Sequence, residues 1–226
     1  MKEPSLAEVA RVRFGGMQTP EGFLFELTGG QVCLDLANTL DERGTDHSRE
    51  LLLRYEDLLN WGVQAGVLAG AEADALRIHA ARHPRAATNA LRRMVTAREA
   101  IFDIFTAAPG RRAAPPGALA ALNRFIPGVF SKRRLEVRDC RFTWTWRFAK
   151  RLDLDRLLWP AVWSAAELLT SPELDRVRQC EGAGCAWLFM DTSKNRTRRW
   201  CDMSVCGNRA KAKRHYAKAR TLPSRS

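Results

Sequence analysis

The sequence predicts a mainly α-helical protein with a small β-hairpin, split into a helical N-terminal domain and a compact C-terminal module built on four cysteines. Three observations carry this expectation. Apolar residues recur at helical spacing through most of the first 170 or so positions. One stretch, 135–148, alternates with period two instead. Near the C-terminus the cysteines fall as Cys180-x4-Cys185-x15-Cys201-x4-Cys206, two short pairs separated by a longer span.

The elements follow in order. Residues 1–20 look weakly ordered and end in Gly15-Gly16 and Pro20. Phe23 to Leu27 reads as a short strand, and Val32, Leu34, Leu36, Ala37 and Leu40 give a helix over 31–42. Tyr55 to Ala65 is a second helix stopped by Gly66, and Ala71 to Arg82 a third. Pro84 suits a helix start, because its missing N–H has no partner to lose in the first turn. Leu91, Met94, Ile101, Ile104 and Phe105 then extend that helix to about Ala107. A Pro/Gly/Arg-rich loop precedes a helix over 118–130. The period-two segment predicts a hairpin turning near Arg138-Asp139, with Phe142, Trp144, Trp146 and Phe148 as its core face. Leu154 to Leu169 is a further helix, ended by Thr170-Ser171-Pro172. This organisation gives three segments: 1–20, a helical domain over 21–175, and the cysteine module over 176–226.

Charge divides the chain along the same line. The formal net charge is +12, and 226 residues share it unevenly. From Arg176 onward stand 13 basic residues and three acids, leaving the first 175 residues at a net +2. One end is therefore a polycation, which points to an anionic partner there. No apolar run approaches the roughly 18 residues of a membrane span, and no apolar leader is evident, so a soluble cytoplasmic protein without a membrane partner is expected.

In a reducing compartment paired cysteines are metal ligands rather than disulfides. Four thiolates suit a Zn2+ tetrahedron and leave no open position for catalytic water. Cys180, Cys185, Cys201 and Cys206 are the expected ligands. Trp187 to Met190 reads as a strand, Asp191 to Asn195 as a turn and Arg198-Arg199-Trp200 as a returning strand. A helix follows from about Gly207 to Arg220, making a treble-clef or ribbon-like zinc finger. Trp187, Phe189 and Trp200 would form its core. Cys33 and Cys140 stand alone and are expected to be buried and inert. Arg178, Arg199 and Arg209 could offset the net −2 of a zinc tetrathiolate.

Past Asp202 no acid balances the basic residues. Lys211, Arg214, His215 and Lys218 share a helical face. Arg198, Arg199, Arg209, Lys211, Arg214 and Lys218 are the candidate phosphate contacts, with DNA ahead of RNA.

The finger, from Cys180-x4-Cys185-x-Trp187-x-Phe189-x-Asp191 through Arg198-Arg199-Trp200-Cys201-x4-Cys206-Gly207-Asn208-Arg209-x-Lys211, closely resembles the CGNR zinc-finger family. Gly29-Gly30-x-x-Cys33-Leu34-Asp35-Leu36-x-Asn38-Thr39 resembles the marker of the ABATE domain that precedes this finger. The resemblance implies a bacterial zinc protein acting as a stress-induced transcription regulator or an RNA-binding protein.

Asp35, Asn38 and Thr39 cluster on an otherwise apolar helix, where polar groups must find partners. They form either a pocket for a small-molecule effector, with Arg43 or Arg98 contributing, or hydrogen bonds between helices. No nucleophile–base pair or phosphate loop appears, and His47, His79 and His83 read as surface residues, so no enzyme activity is expected. The expected function is zinc-dependent nucleic-acid binding, as a DNA-binding transcription regulator with a helical sensor domain. The alternative is a metabolite-binding or protein-interaction module in which the finger is structural. The sequence leaves a homo-oligomer open.

Overall fold

The computed structural model describes residues 15–20, 22–108, 112–147 and 152–221. Residues 1–14, expected to be weakly ordered, lie outside these. Gly16–Thr19 (β1) instead pairs antiparallel with Gly22–Phe25 (β2). A Cβ on Gly16 would sit 2.0 Å from the Leu24 carbonyl oxygen, and its φ is +141°, so only glycine fits there. The hairpin docks through one amide: Gln64 Oε1 accepts the Phe25 N–H, and Gln64 Nε2 donates to the Phe23 carbonyl.

Helix Val32–Ala37 (α1) is shorter than the expected 31–42. Two side chains stop it. Thr39 Oγ1 donates back to the Leu36 carbonyl at 2.7 Å, and the Asn38 amide is committed elsewhere. The chain then enters Leu40–Asp41 (β3), paired with Arg49–Glu50 (β4). Tyr55–Gln64 (α2), Gly70–Arg82 (α3) and Pro84–Ala107 (α4) fall where the apolar spacing put them. Asp57 caps α2 by accepting the Arg54 N–H, and Gly66, at φ +70°, turns the chain out of it. The single helix expected over 118–130 is two, Pro116–Asn123 (α5) and Ile126–Lys132 (α6). Pro127 explains the break: it has no N–H for the carbonyl four residues back, and its ring would clash there.

Arg133–Arg138 (β5) and Arg141–Trp146 (β6) form the expected hairpin, with Asp139 and Cys140 both at positive φ in its two-residue turn. Its burial corrects the expectation. Phe142 and Trp144 are exposed rather than core, and Cys140 is exposed at the tip rather than buried; Phe148 lies outside the described residues. Among the described residues the hairpin leans on the protein at its base, where Trp146 packs on the core, and through Trp144, which meets Trp163 of the next helix, Leu158–Thr170 (α7). Cys33 is fully buried, and burial pushes its thiol up to about 12.

The core is built where α1, α2, α4 and α7 meet, around Leu34, Leu36, Leu58, Trp61, Ile101 and Phe105. Alanines at 97, 161 and 165 are fully buried and let α4 and α7 come close to their neighbours. After a 3-10 turn, Val177–Gln179 (β7) pairs antiparallel with Leu188–Met190 (β8). Val177, Leu188 and Met190 belong to this same core. The returning strand expected at Arg198–Trp200 does not form: β7 pairs along one edge of β8, and the Asn38 amide takes the Leu188 backbone groups on the other. A π-helical turn, Met203–Gly207, leads into helix Asn208–Thr221 (α8).

One side chain joins the two ends of the chain. Asn38 Nδ2 donates to the Leu188 carbonyl at 2.9 Å, and its Oδ1 accepts the Leu188 N–H at 2.8 Å, all of it buried. The Asn38 amide thereby acts as a strand edge for β8, while the Met190 N–H bonds the Gly29 carbonyl. Replacing Asn38 by Ala leaves both Leu188 backbone groups buried without partners. The expected cost is about 2–4 kcal/mol in denaturant unfolding of the metal-loaded protein.

Candidate metal centre and the cationic helix it holds

The first cysteine pair sits in a tight knuckle between β7 and β8. The Cys180 N–H donates to the Trp187 carbonyl at 2.7 Å and the Cys185 N–H to that of Gly182 at 3.0 Å. Gly184 and Ala186 take positive φ to complete the turn. Space at Gly182 is tight: a Cβ there would lie 3.0 Å from Cys206 Sγ and 3.4 Å from Cys180 Sγ and would press on the sulfur cluster. Its N–H points at Cys180 Sγ, 3.4 Å away, as expected for a donor to a thiolate. The second pair is shaped by Asp202, whose Oδ1 accepts the N–H groups of Ser204 and Val205. A Cβ on Gly207 would come within 2.4 Å of Met203 Sδ, so the half-exposed Met203 side chain would have to swing aside to admit one.

All four sulfurs lie within 4.8 Å of one another, and all four cysteines are buried and free of disulfides. Cys185 and Cys201 sulfurs are 3.6 Å apart, and those of Cys201 and Cys206 3.8 Å. A tetrahedron with metal–sulfur bonds of about 2.3 Å has edges of about 3.8 Å, so the donor set fits a tetrathiolate-bound ion. Trp187 and Phe189 are buried against the cluster and Trp200 packs on its side, as the sequence suggested.

The extended segment between the pairs is organised by Asp191, which is fully buried. Burial opposes its ionisation, but hydrogen bonds from Ser193 and from the Arg198 N–H outweigh this and hold its carboxyl below the usual range. Sequence reading placed Asp191 in a turn without seeing this role. Its Asp-Thr-Ser context is the pattern of a side chain that bonds the backbone two residues on.

The candidate phosphate contacts divide. Arg198 turns inward: Nε donates to the Trp200 carbonyl at 2.9 Å, a terminal nitrogen donates to the Cys201 carbonyl, and its guanidinium lies over the Phe189 ring. Arg199 is exposed beside Trp200 and pairs with Glu181. Arg209, Lys211 and Lys213 are exposed on α8. The side chains of Arg214 and Lys218 lie outside the description, though both are in α8. The Asn208 amide donates to the Ser204 carbonyl and so works within the finger. A groove of about 620 Å3 runs between the first knuckle and α8, lined among others by Glu181, Ala183, Arg199, Trp200, Arg209 and Lys213.

Residues 30–172 match a family described as "Putative stress-induced transcription regulator", ABATE, and residues 176–219 match the CGNR zinc finger. The chain belongs to the ABATE family. No curated protein matches it.

In this ABATE protein the five candidate pocket residues are all engaged within the fold. Arg98 is buried and forks onto Glu50 at 2.6 and 2.7 Å, with Nε on Glu99 and a longer bond to Thr39 Oγ1. Arg43 pairs with Glu99 from the other side and stacks on Phe102. Asn38 holds β8. Asp35 Oδ1 accepts the Gly29 N–H at 2.8 Å, which shapes the loop that in turn bonds Met190. The Asn38 and Asp35 contacts tie the ABATE helices to the finger, and the Arg43 and Arg98 pairs stay within the ABATE domain.

Burial raises Asp35 to about 6, against the opposing Gly29 hydrogen bond. A folded-state value above the unfolded one favours the fold most at pH values below the unfolded one. That contribution is lost as pH rises through about 6. Asp35→Asn keeps the acceptor for Gly29 and removes the buried charge. The variant should be more stable than the parent by about 2 kcal/mol at pH 8, and by about 1 kcal/mol less than that at pH 5, in urea unfolding.

Removal of the ion should be equally specific. Gly182→Ala crowds two of the four sulfurs, and the expected result is metal release to a chromogenic chelator at least about tenfold faster than from the parent, with the helical core still folded.

Proposed function

We propose that this protein is a zinc-dependent nucleic-acid-binding regulator, with duplex DNA as its target ahead of RNA. One observation carries the reading: cations from two separate segments, Arg199 and the α8 residues Arg209 and Lys213, line a single open groove. Helix α8 carries six basic residues and no acid, so it remains a polycation whatever its neighbours. Zinc would be held by Cys180, Cys185, Cys201 and Cys206. Its part is to fix the first turn of α8 against the knuckle, so that Arg209 and Lys213 stand beside Arg199. The sole acid lining the groove among the described residues, Glu181, pairs with Arg199 and would be displaced by phosphate.

Lys211, on α8, adds to the phosphate contacts, as Arg214 and Lys218 would from the same helix. Arg198 is assigned to the metal knot, since its donors already serve backbone carbonyls. The slim alanine-rich spacing of α8 suits a helix lying in or across a groove of duplex DNA. A second reading, in which the finger is a structural seal for the helical domain, is supported by the burial of Val177, Leu188 and Met190 in the main core. The two readings are compatible: β7–β8 seals, and α8 binds. The helical domain then acts as the rigid seat of the finger, and an effector bound to it would act by moving α1 against β8.

Binding to duplex DNA should fall with salt at a log–log slope of about −4 to −5, as expected for roughly five phosphates neutralised. Arg209→Gln with Lys213→Gln should flatten that slope by about 2 and weaken binding uniformly across sequences. A slope unchanged by the double substitution would remove the groove from the interface.

A further inference from the structure

The β5–β6 hairpin presents an apolar face that the described residues leave bare. In its register Leu135 lies opposite Trp144 and Val137 opposite Phe142, so these four share one face. Leu135 is 59% exposed, Val137 64%, Phe142 81% and Trp144 44%. Phe130 of α6, 59% exposed, stands alongside, since both it and Trp144 touch the ring of Trp163. At the base of the same face, Arg133 stacks its guanidinium on Trp146 and Trp163, each about 4.4 Å from the ring centre. The opposite face carries Arg134, Glu136, Arg138, Thr143 and Thr145. The hairpin is thus two-faced, and its apolar side is turned to water. A two-stranded sheet of this kind is barely stable without something to cover it.

We infer that this face is a dimer interface, covered by the same hairpin of a second copy of the chain. Area supports it. With fully exposed aromatic and aliphatic side chains at about 150–250 Å2 each, the five residues expose roughly 600 Å2. Two copies therefore bury roughly 1,200 Å2, the lower bound for a stable specific interface. Charge supports it too. A two-fold contact sets each patch against itself, so a patch rich in one sign would repel its copy. Here the projecting part of the face is uncharged, and its cation sits at the base, already stacked on indoles. A nucleic-acid backbone has nothing to offer Phe142 and Val137, and the arginines that could meet it are on the other face. The hairpin edges are open as well, so a second hairpin can add main-chain hydrogen bonds. This inference is independent of the nucleic-acid reading.

Sedimentation velocity of the metal-loaded full chain, from about 1 to 100 μM, tests it over the range where a standard-size interface populates. The parent is expected to be a dimer over most of that range. Phe142→Ser with Trp144→Ser should raise the dimer dissociation constant at least about 100-fold, as for loss of central anchors. Val137→Ser, a milder change on the same face, should raise it less. Glu136→Ser, on the opposite face, should leave it unchanged, and circular dichroism and metal content should match the parent throughout. The exposed Cys140 at the tip gives a second readout: a spin label there should report one narrow inter-chain distance in the parent and none in the double variant. A parent that stays monomeric at the highest concentration overturns the inference. So does a double variant that dimerises as well as the parent, or a Glu136 variant that weakens association as much as the double variant.

Discussion

Four cysteine sulfurs packed within 4.8 Å of one another constrain everything at the C-terminal end of this protein. Thiols that close cannot all ionise unless a cation lies among them, and ionised they are the ligands that a divalent cation requires. The segments they join have little else in common. The first knuckle belongs to a hairpin buried in the helical core, and the second opens a helix with no apolar face of its own. The apolar residues of helix α8 are alanines and one tyrosine, so hydrophobic burial can contribute little to holding it in place. The sulfur cluster is what gives this polycation an address on the protein surface.

The other half of the constraint lies 150 residues away in sequence. Asn38 lends its amide to Leu188, Gly29 lends its carbonyl to Met190, and Val177 and Leu188 are fully buried among the helices. The finger is therefore seated and not tethered. The first knuckle inherits the rigidity of the core, and the packing of Cys201 and Cys206 against Cys180 and Cys185 carries it to the start of α8. Arg198 and Asp191 complete the link. A buried carboxylate orders the backbone between the cysteine pairs, and a guanidinium on Phe189 clamps the carbonyls that lead into the second pair. The ABATE domain and the CGNR finger are thus joined by buried hydrogen bonds and a shared core.

Local signals were legible in the sequence and long-range ones were not. Helices α2, α3 and α4 could be read nearly to the residue, because apolar spacing, Gly66 and Pro84 all act within a few positions. The convergence of the four cysteines was legible for the same reason. Helix α1 was read too long because one of the two side chains that end it, Asn38, is committed to a strand far along the chain, beside the local Thr39 bond to the Leu36 carbonyl. Pro127 was the overlooked local signal, and it divides the helix expected over 118–130. The hairpin was found, but its burial was misjudged, since period-two alternation shows that a strand has two faces without saying what lies against either. Arg198 looks like its basic neighbours in sequence. Only the positions of Phe189 and of the Trp200 and Cys201 carbonyls show that it turns inward.

Hydrogen exchange followed by mass spectrometry, with and without a chelator, tests the seating of the cationic helix most directly. The account predicts an asymmetric response. Without the ion, α8 and the segment from about Thr197 onward should exchange at near-random-coil rates. The β7–β8 backbone, held by Asn38 and the core, should keep most of its protection. Protection of α8 that survives complete metal removal would contradict the account, as would β7–β8 melting together with α8 in a single step.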